Sequence, residues 1–191
     1  MIDLDISGGV WTLTLNRPDK ANSLTFEMLE RIAEIAADAK EARALIITGA
    51  GTVFSAGADL SAAKAGLATS DVWERVSGAI AALPGLTIAA LNGTLAGGAF
   101  GMALASDLRL GVPAARFFYP VMRLGFLPQP SDPARMAALI GPARTKMVLM
   151  AGQKITADEA LSYGLIDRIC APDALISTAQ SLCDDICAAP P

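Results

Sequence analysis

Two short stretches rich in small residues carry the part of this sequence best suited to chemistry. The first is VFSAGADL at residues 53–60 and the second is NGTLAGGAFG at residues 92–101. Each follows an apolar run typical of a buried strand and precedes a helical pattern. Backbone N–H groups at such helix starts point at whatever lies in front of them. If the two loops face one another, they predict an oxyanion hole, in which two N–H donors stabilise a carbonyl oxygen that gains negative charge.

Ala58 and Gly98 are the residues whose N–H groups we expect to form this hole. Gly97 and Gly98 lack a Cβ, so their backbone can approach a ligand closely. A single glycine-rich loop usually marks a turn and nothing more. The two loops together, each between a strand and a helix, favour the catalytic interpretation, in which a thioester carbonyl is polarised toward an enolate.

Few side chains in this sequence could transfer a proton. The chain contains no histidine, which excludes Ser-His-Asp and Cys-His mechanisms and removes the commonest general base. Asp132 is a candidate acid–base residue, with helix N-capping alongside Ser131 as the alternative. Tyr119 could hydrogen-bond an acyl oxygen, or it could be a core residue with a polar tip. Gln129 could hold a water molecule without activating it.

Composition limits the class of protein further. The chain has 191 residues, 53% of them hydrophobic, and a net charge of -4, which suits one domain with a full core and lacks the basic surface that nucleic-acid binding needs. Three cysteines without metal-ligand spacing predict reduced thiols and no metal site. Residues 76–106 are uncharged, but Pro-Gly, Asn-Gly and Gly-Gly pairs predict a buried helix, strand and helix instead of a membrane span. With no signal-peptide pattern, we expect a cytoplasmic protein without a membrane or nucleic-acid partner.

Strands alternate with helices along the chain, which predicts an α/β fold with parallel strands. A hairpin is expected over residues 2–15, and Asn22 or Ser23 is expected to cap the first helix. Further strands are predicted at residues 44–48, 86–91, 108–110, 116–119 and 165–169. Pro133 and Pro142 suit the first turns of helices, and Thr156 to Glu159 fits a capping box. We expect residues 1–130 to form the core and residues 131–191 a helical C-terminal region used in oligomerisation.

These motifs resemble those of the enoyl-CoA hydratase/isomerase (crotonase) superfamily over nearly the whole chain. The matching stretches are NRP at 16–18 with NSL at 22–24, FSAGADL at 54–60, LNG through GG at 91–98, ITADEA at 155–160 and GLID at 164–167. The resemblance implies a crotonase-like spiral of ββα units that binds acyl-CoA, needs no cofactor beyond that thioester, and assembles as a homotrimer or hexamer. It implies that Ala58 and Gly98 supply the oxyanion N–H groups and that Asp59 stabilises loop structure. The implied substrate and CoA contacts are Lys20, Ala21, Ser23, Ala56, Gly57, Leu60, Gly97 and Gln129.

The sequence departs from that family pattern at the acid–base positions. The resemblance places the two hydratase glutamates at Gly101 and Val121, and it places an isomerase carboxylate at Gln129, directly after Pro128. Hydration of crotonyl-CoA is therefore expected to be slow. Isomerisation or atypical hydration through an enolate remains open, as do a non-catalytic acyl-CoA binder and a thioesterase-like or decarboxylating variant. The C-terminal region is shorter than the family usually has, which predicts a more open acyl pocket or one covered by an oligomer.

Overall fold

Residues 1–190, which the computed structural model describes, form strands and helices in regular alternation. The strands are β1 (Ile2–Ser7), β2 (Val10–Leu15), β3 (Ala44–Gly49), β4 (Val53–Ser55), β5 (Leu86–Leu91), β6 (Thr94–Ala96), β7 (Leu108–Gly111), β8 (Arg116–Phe118), β9 (Ile155–Thr156) and β10 (Arg168–Ile169). The α-helices are α1 (Phe26–Asp38), α2 (Leu60–Lys64), α3 (Val72–Ala81), α4 (Phe100–Ala105), α5 (Asp132–Leu149), α6 (Ala157–Tyr163), α7 (Leu175–Ser181) and α8 (Asp184–Ala188). The predicted α/β class is confirmed.

Two sheets form the centre of the molecule. The larger has the order β1-β2-β3-β5-β7-β10, and the smaller has the order β4-β6-β8-β9. The pairs β3 and β4, β5 and β6, and β7 and β8 each place their first strand in the larger sheet and their second strand in the smaller one. A helical segment follows each pair, so the chain winds through a spiral of ββα units. This is the predicted architecture.

The central strands form because they can bury both faces. Five of the six residues of β3 and five of the six of β5 are buried, as expected for apolar strands that are covered on both faces. Helix α1 buries Met28, Ile32 and Ile35 against the same core. Its N-cap is Thr25, whose hydroxyl accepts the N–H of Met28, so the predicted caps Asn22 and Ser23 are wrong.

The C-terminal region is built into both sheets. Strand β9 pairs with β8 and β10 pairs with β7, although the predicted strand at 165–169 is reduced to two residues. Helix α5 is broken at Gly141, whose φ is 78°, and Pro142 begins the second half in a first-turn position. The capping box of Thr156 and Glu159 at the start of α6 is confirmed.

The uncharged stretch at residues 76–106 contains the end of α3, then β5, β6 and α4, which confirms the predicted interruption of that stretch. Within the part of the chain that the structure describes, no helix combines the length and apolar character needed to cross a membrane.

Candidate active site

The two small-residue loops lie side by side because the strands before them are neighbours. Strand β4 pairs in parallel with β6, with Val53 opposite Thr94, so both loops leave the same edge of the smaller sheet. The loops touch through their backbones: a Cβ added at Gly57 would lie 2.9 Å from the carbonyl oxygen of Ala96. Gly57 also has a φ of 87°, which disfavours other residues. The second loop therefore sits against the first at a point that needs glycine.

Ala58 and Gly98 line one cavity of about 150 Å³. Gly98 is the second residue of a 3-10 turn, Gly97–Ala99, that leads into α4, so its N–H lies at a helix start and has no acceptor within the helix. The Ala58 N–H has no intramolecular acceptor among residues 1–190. The structure thus brings together the two donors that the sequence predicts, and both remain available to a ligand.

The rest of the cavity wall is apolar or neutral. The Trp73 ring lies behind Gly98 and is fixed by a 2.8 Å hydrogen bond from its Nε1 to the carbonyl oxygen of Leu67. The remaining lining residues are Ala56, Leu60, Ala63, Ala68, Ala96, Gly97, Phe118, Tyr119, Pro120, Val121, Leu124, Phe126, Leu127 and Gln129. No lining residue carries a charge, so a bound acyl group would meet no ionised side chain directly.

A wider and more polar groove joins this cavity. It has a volume of about 700 Å³ and shares Ala56, Ala58 and Leu60 with the cavity, so the two form one continuous surface. Lys20 and Ser23, two of the predicted CoA contacts, line the groove. Gly97 and Gln129 line the cavity instead. Of the predicted contacts, Ala21 and Gly57 line neither the cavity nor the groove. Their carbonyl oxygens instead accept backbone hydrogen bonds, that of Ala21 from the N–H of Ala56 at 3.0 Å and that of Gly57 from the N–H of Leu24 at 2.8 Å.

An ion pair fixes the floor of the groove. Nη1 of Arg17 lies 2.9 Å from Oδ2 of Asp59, and the same nitrogen donates to the carbonyl and hydroxyl oxygens of Ser23. Oδ1 of Asp59 accepts the N–H of Ser61 at 2.9 Å and so caps α2. The hydrogen bond from Arg17 is the main cause that lowers the pKa of Asp59. The expected loop-stabilising role of Asp59 is confirmed.

Two asparagines tie the loops to the larger sheet. Asn22 is fully buried; its Nδ2 donates to the carbonyl oxygens of Ala50 (2.9 Å) and Val53 (2.7 Å), and its Oδ1 accepts the N–H of Arg17 (2.8 Å). Oδ1 of Asn92 accepts the N–H of Gly49 at 3.0 Å. Asn22 is thus a structural clamp beneath the groove, a role the sequence pattern did not separate from helix capping.

Asp132 is the only predicted acid–base residue, and it is fully buried at the start of α5. Its Oδ2 accepts a 2.8 Å hydrogen bond from the hydroxyl of Tyr119. Neither Asp132 nor Ser131 caps α5 with its side chain, so the N-capping alternative is wrong. Ser131 instead donates its hydroxyl to Glu74. Burial raises the pKa of Asp132 to about 7; the Tyr119 hydrogen bond and the charge of Arg135 oppose this, and the charge of Glu74 adds to it.

Comparison with known proteins shows the family and the fold of this chain. The sequence profile of enoyl-CoA hydratase/isomerase proteins matches residues 5–191. The chain belongs to the enoyl-CoA hydratase/isomerase family. A short-chain-enoyl-CoA hydratase of Clostridium acetobutylicum is 34% identical, over 96% of this chain and 74% of that protein. A 1,2-epoxyphenylacetyl-CoA isomerase of Escherichia coli is 31% identical, over 93% of this chain and 72% of that protein. The crystal structure of an enoyl-CoA hydratase from Bacillus anthracis superposes with a TM-score of 0.89 at 31% identity, covering 97% of this chain and 76% of that one.

The positions at which the family resemblance places carboxylates differ in their surroundings. Val121 and Gln129 line the cavity, whereas Gly101 is buried on α4 beside Asp132. A Cβ added at Gly101 would lie 3.4 Å from Oδ1 of Asp132. The carboxyl group of Asp132 therefore lies next to position 101, where this chain has glycine and the family resemblance expects a glutamate.

Sequence reasoning missed two residues of the site. Arg17 lines the groove, and its place in the NRP motif was a usable signal. Trp73 forms the wall behind Gly98, and nothing in its local sequence distinguishes it from an ordinary core residue of α3. Among residues 1–190, no group of three or more His, Cys, Asp or Glu side chains is arranged to hold a metal ion.

Proposed function

We propose that this protein binds an acyl-CoA thioester with the carbonyl oxygen at the N–H groups of Ala58 and Gly98 and stabilises the enolate formed there. One observation carries the proposal: two free N–H donors from adjacent loops lie on one apolar cavity that opens into a polar groove. One donor of this kind is worth on the order of 3 kcal/mol of barrier. The chemistry needs no cofactor besides the CoA portion of the substrate.

The two parts of the surface suit the two ends of such a substrate. The groove offers the exposed cation Lys20 and the polar Ser23 to the nucleotide and pantetheine portion. The cavity of about 150 Å³ is smaller than the roughly 300 Å³ or more typical of pockets for drug-sized ligands. We therefore expect a short acyl group in the cavity.

The reaction we propose is double-bond isomerisation or an atypical hydration. The relatives include proteins named as a hydratase and as an isomerase, and both names describe acyl-CoA chemistry. Gly101 and Val121 cannot transfer protons, so a two-glutamate hydration is not proposed. A second candidate is a non-catalytic acyl-CoA binder, which is favoured by the lack of any charged residue in the cavity lining.

We also propose assembly as a homotrimer or a dimer of trimers. Its support is the pair of exposed apolar side chains in the C-terminal region, Met150 (63% exposed) and Leu161 (42% exposed). Burial between subunits would remove this apolar surface from water.

Carbonyl polarisation tests the proposed function. We expect the thioester ¹³C resonance of carbonyl-labelled butyryl-CoA to move downfield when it binds the wild-type protein. Gly98→Pro deletes one N–H donor and should reduce that shift, whereas Gly98→Ala crowds Trp73 but keeps the donor, so its shift should be larger than that of Gly98→Pro. Circular dichroism checks that both variants are folded. Binding without any shift would support the non-catalytic binder, and failure of the wild-type protein to bind butyryl-CoA would overturn the proposal.

A further inference from the structure

Tyr119 and Asp132 form a buried, hydrogen-bonded pair beside the apolar cavity, and the charges of Glu74 and Arg135 act on its carboxyl group. Tyr119 is 1% exposed and Asp132 is 0% exposed, and the tyrosine hydroxyl donates to Oδ2 of the carboxyl at 2.8 Å. The Tyr119 ring stacks on Phe100 with 5.3 Å between ring centroids. Oδ1 of Asp132 has no hydrogen-bond partner among residues 1–190. A buried carboxyl oxygen without a partner costs free energy, so its retention calls for an explanation in function.

The carboxyl has room because α4 carries glycine opposite it. An added Cβ at Gly101 would meet Oδ1 of Asp132 at 3.4 Å and Cβ of Ser77 at 3.5 Å. A longer side chain at residue 101 would compete for the space that the carboxyl now occupies. The carboxyl group of Asp132, at the start of α5, therefore fits beside α4 because residue 101 has no side chain.

The tyrosine connects this carboxyl to the cavity. Tyr119 is itself a lining residue, and its hydroxyl oxygen accepts the backbone N–H of another lining residue, Gln129, at 3.3 Å. A phenolic oxygen has two lone pairs, so one remains after this contact. Asp132 does not line the cavity, and its route to a bound molecule passes through the tyrosine hydroxyl.

We propose that Tyr119 and Asp132 are the acid–base pair of this site, with the Tyr119 hydroxyl exchanging a proton with the acyl group and the Asp132 carboxyl holding that proton. The inference rests on the proposed binding of an acyl-CoA thioester. Tyr119 is the catalytic residue, since it alone of the two meets the substrate, and Asp132 acts through it.

The proton transfer balances without a further reactant. The Tyr119 oxygen takes a proton from the carbon next to the thioester carbonyl while its own hydroxyl proton passes to Oδ2 of ionised Asp132. The C–H electron pair becomes the enolate, whose oxygen lies at Ala58 and Gly98. Tyrosine ends neutral and Asp132 ends protonated. The reverse transfer returns the proton to the same carbon or to a conjugated one, which completes an exchange or an isomerisation.

The charges around the pair suit this concerted transfer. Burial raises the pKa of Tyr119 far above its ordinary value, so a free tyrosinate is disfavoured. The hydroxyl proton of Tyr119 must therefore pass to Asp132 at the same time as the substrate proton reaches the phenolic oxygen. Burial likewise raises the pKa of Asp132 to about 7, with Glu74 on α3 adding to the rise and Tyr119 and Arg135 opposing it. Both forms of the carboxyl are therefore populated near neutral pH.

Exchange of the α-protons of butyryl-CoA with D₂O tests the pair. For the wild-type protein we expect the exchange rate to rise with pH and to level off above about pH 7, since the ionised carboxyl is the active form. Asp132→Asn keeps an acceptor for the Tyr119 hydroxyl but cannot take a proton, and Tyr119→Phe removes the hydroxyl. Each should slow exchange by about 100-fold or more. Calorimetric titration with butyryl-CoA should give dissociation constants close to that of the wild type.

Matched controls are Tyr163→Phe and Asp173→Asn, which change a tyrosine and an exposed aspartate outside the cavity lining and should exchange at the wild-type rate. Wild-type exchange rates in folded Asp132→Asn and Tyr119→Phe would overturn the inference. So would a wild-type rate that is independent of pH between about pH 5 and about pH 9, a result that needs no variant to fold. Wild-type protein that binds butyryl-CoA without exchange would also overturn it, whereas absence of binding would defeat the proposed function itself.

Discussion

Trp73 lies directly against Gly98, at the place where a side chain would otherwise begin. A Cβ added at Gly98 would come within 3.1 to 3.2 Å of three atoms of the six-membered part of the indole ring. The ring cannot easily retreat, because it is 4% exposed and its Nε1 is hydrogen-bonded to the carbonyl oxygen of Leu67. A single contact therefore positions both the aromatic wall of the cavity and the backbone of Gly98, one of the two proposed oxyanion donors.

Gly98→Ala should destabilise the protein by overpacking, by roughly 1–3 kcal/mol in the free energy of unfolding. Trp73→Phe removes the ring atoms that meet the new methyl group, so the double variant should be more stable than the sum of the single changes implies. Urea unfolding of the four proteins in this cycle measures the coupling. Additive effects would show that the two residues do not constrain each other.

Asn22→Ala should cost about 3 kcal/mol of stability and weaken the binding of CoA. The change leaves the N–H of Arg17 and the carbonyl oxygen of Ala50 without their side-chain partner, and it leaves the carbonyl oxygen of Val53 with only the 3.4 Å contact from Nδ2 of Asn92. Asn22 also has a φ of 51°, which alanine adopts less readily.

Asn16→Ala is the matched control, because Asn16 is exposed and its side chain bonds only to that of Asp3. It should change stability by less than about 0.5 kcal/mol. Urea unfolding gives the stabilities and calorimetric titration with free CoA gives the affinities. Equal losses in the two variants would refute the clamp role of Asn22.

The carboxyl of Asp132 should make the protein less stable as the pH rises. Its pKa in the folded protein is about 7, above the ordinary value of 3.8, so the folded state holds a proton that the unfolded state has lost. The resulting decrease in the free energy of unfolding begins near pH 4, grows up to about pH 7 and is complete above that, with a limit on the order of 4 kcal/mol.

Asp132→Asn removes this pH-dependent contribution to the free energy of unfolding, because the amide does not titrate. The stability difference between about pH 5 and about pH 8 should therefore be smaller in the variant than in the wild type, while groups common to both proteins cancel. Thermal or urea unfolding at the two pH values measures it. An identical pH dependence in both proteins would show that the carboxyl does not retain its proton on folding.

Analytical ultracentrifugation at micromolar concentration should show a trimer or a dimer of trimers with no substantial monomer. The exposed apolar side chains Met150 and Leu161 are the candidate contacts, so charged replacements such as Met150→Lys and Leu161→Lys should shift the distribution toward smaller species. Glu41 is exposed and lies outside the C-terminal region, so Glu41→Lys serves as a control that should leave the distribution unchanged. A wild-type protein that sediments as a stable monomer would contradict the proposed assembly.

The order of the elements and the positions of the two small-residue loops could be predicted from the residues alone. Apolar runs such as 44–49 and 86–91 become central strands because only a doubly covered sheet buries both of their faces. Gly57, Gly97 and Gly98 mark the loops because local backbone geometry and close approach are readable from residue type. The capping box at Thr156 and the first-turn prolines are likewise local, so their positions followed from a few neighbouring residues.

Which polar groups are paired, and where they face, depends on contacts between residues far apart in the chain. Asn22 and Asp132 were both plausible helix caps, yet one clamps three backbone groups and the other meets Tyr119, thirteen positions earlier in the chain. The short strands β4 and β6 hold only three residues each, too few for a periodic signal, and they exist because the partner strand supplies their hydrogen bonds. Trp73 reaches Gly98 and Asp132 reaches the space beside Gly101 only when three helices pack together. Burial and pairing are set by such distant contacts, so the residues alone offered Asp132 and Tyr119 as separate candidates and only the folded chain shows that they are hydrogen-bonded to each other.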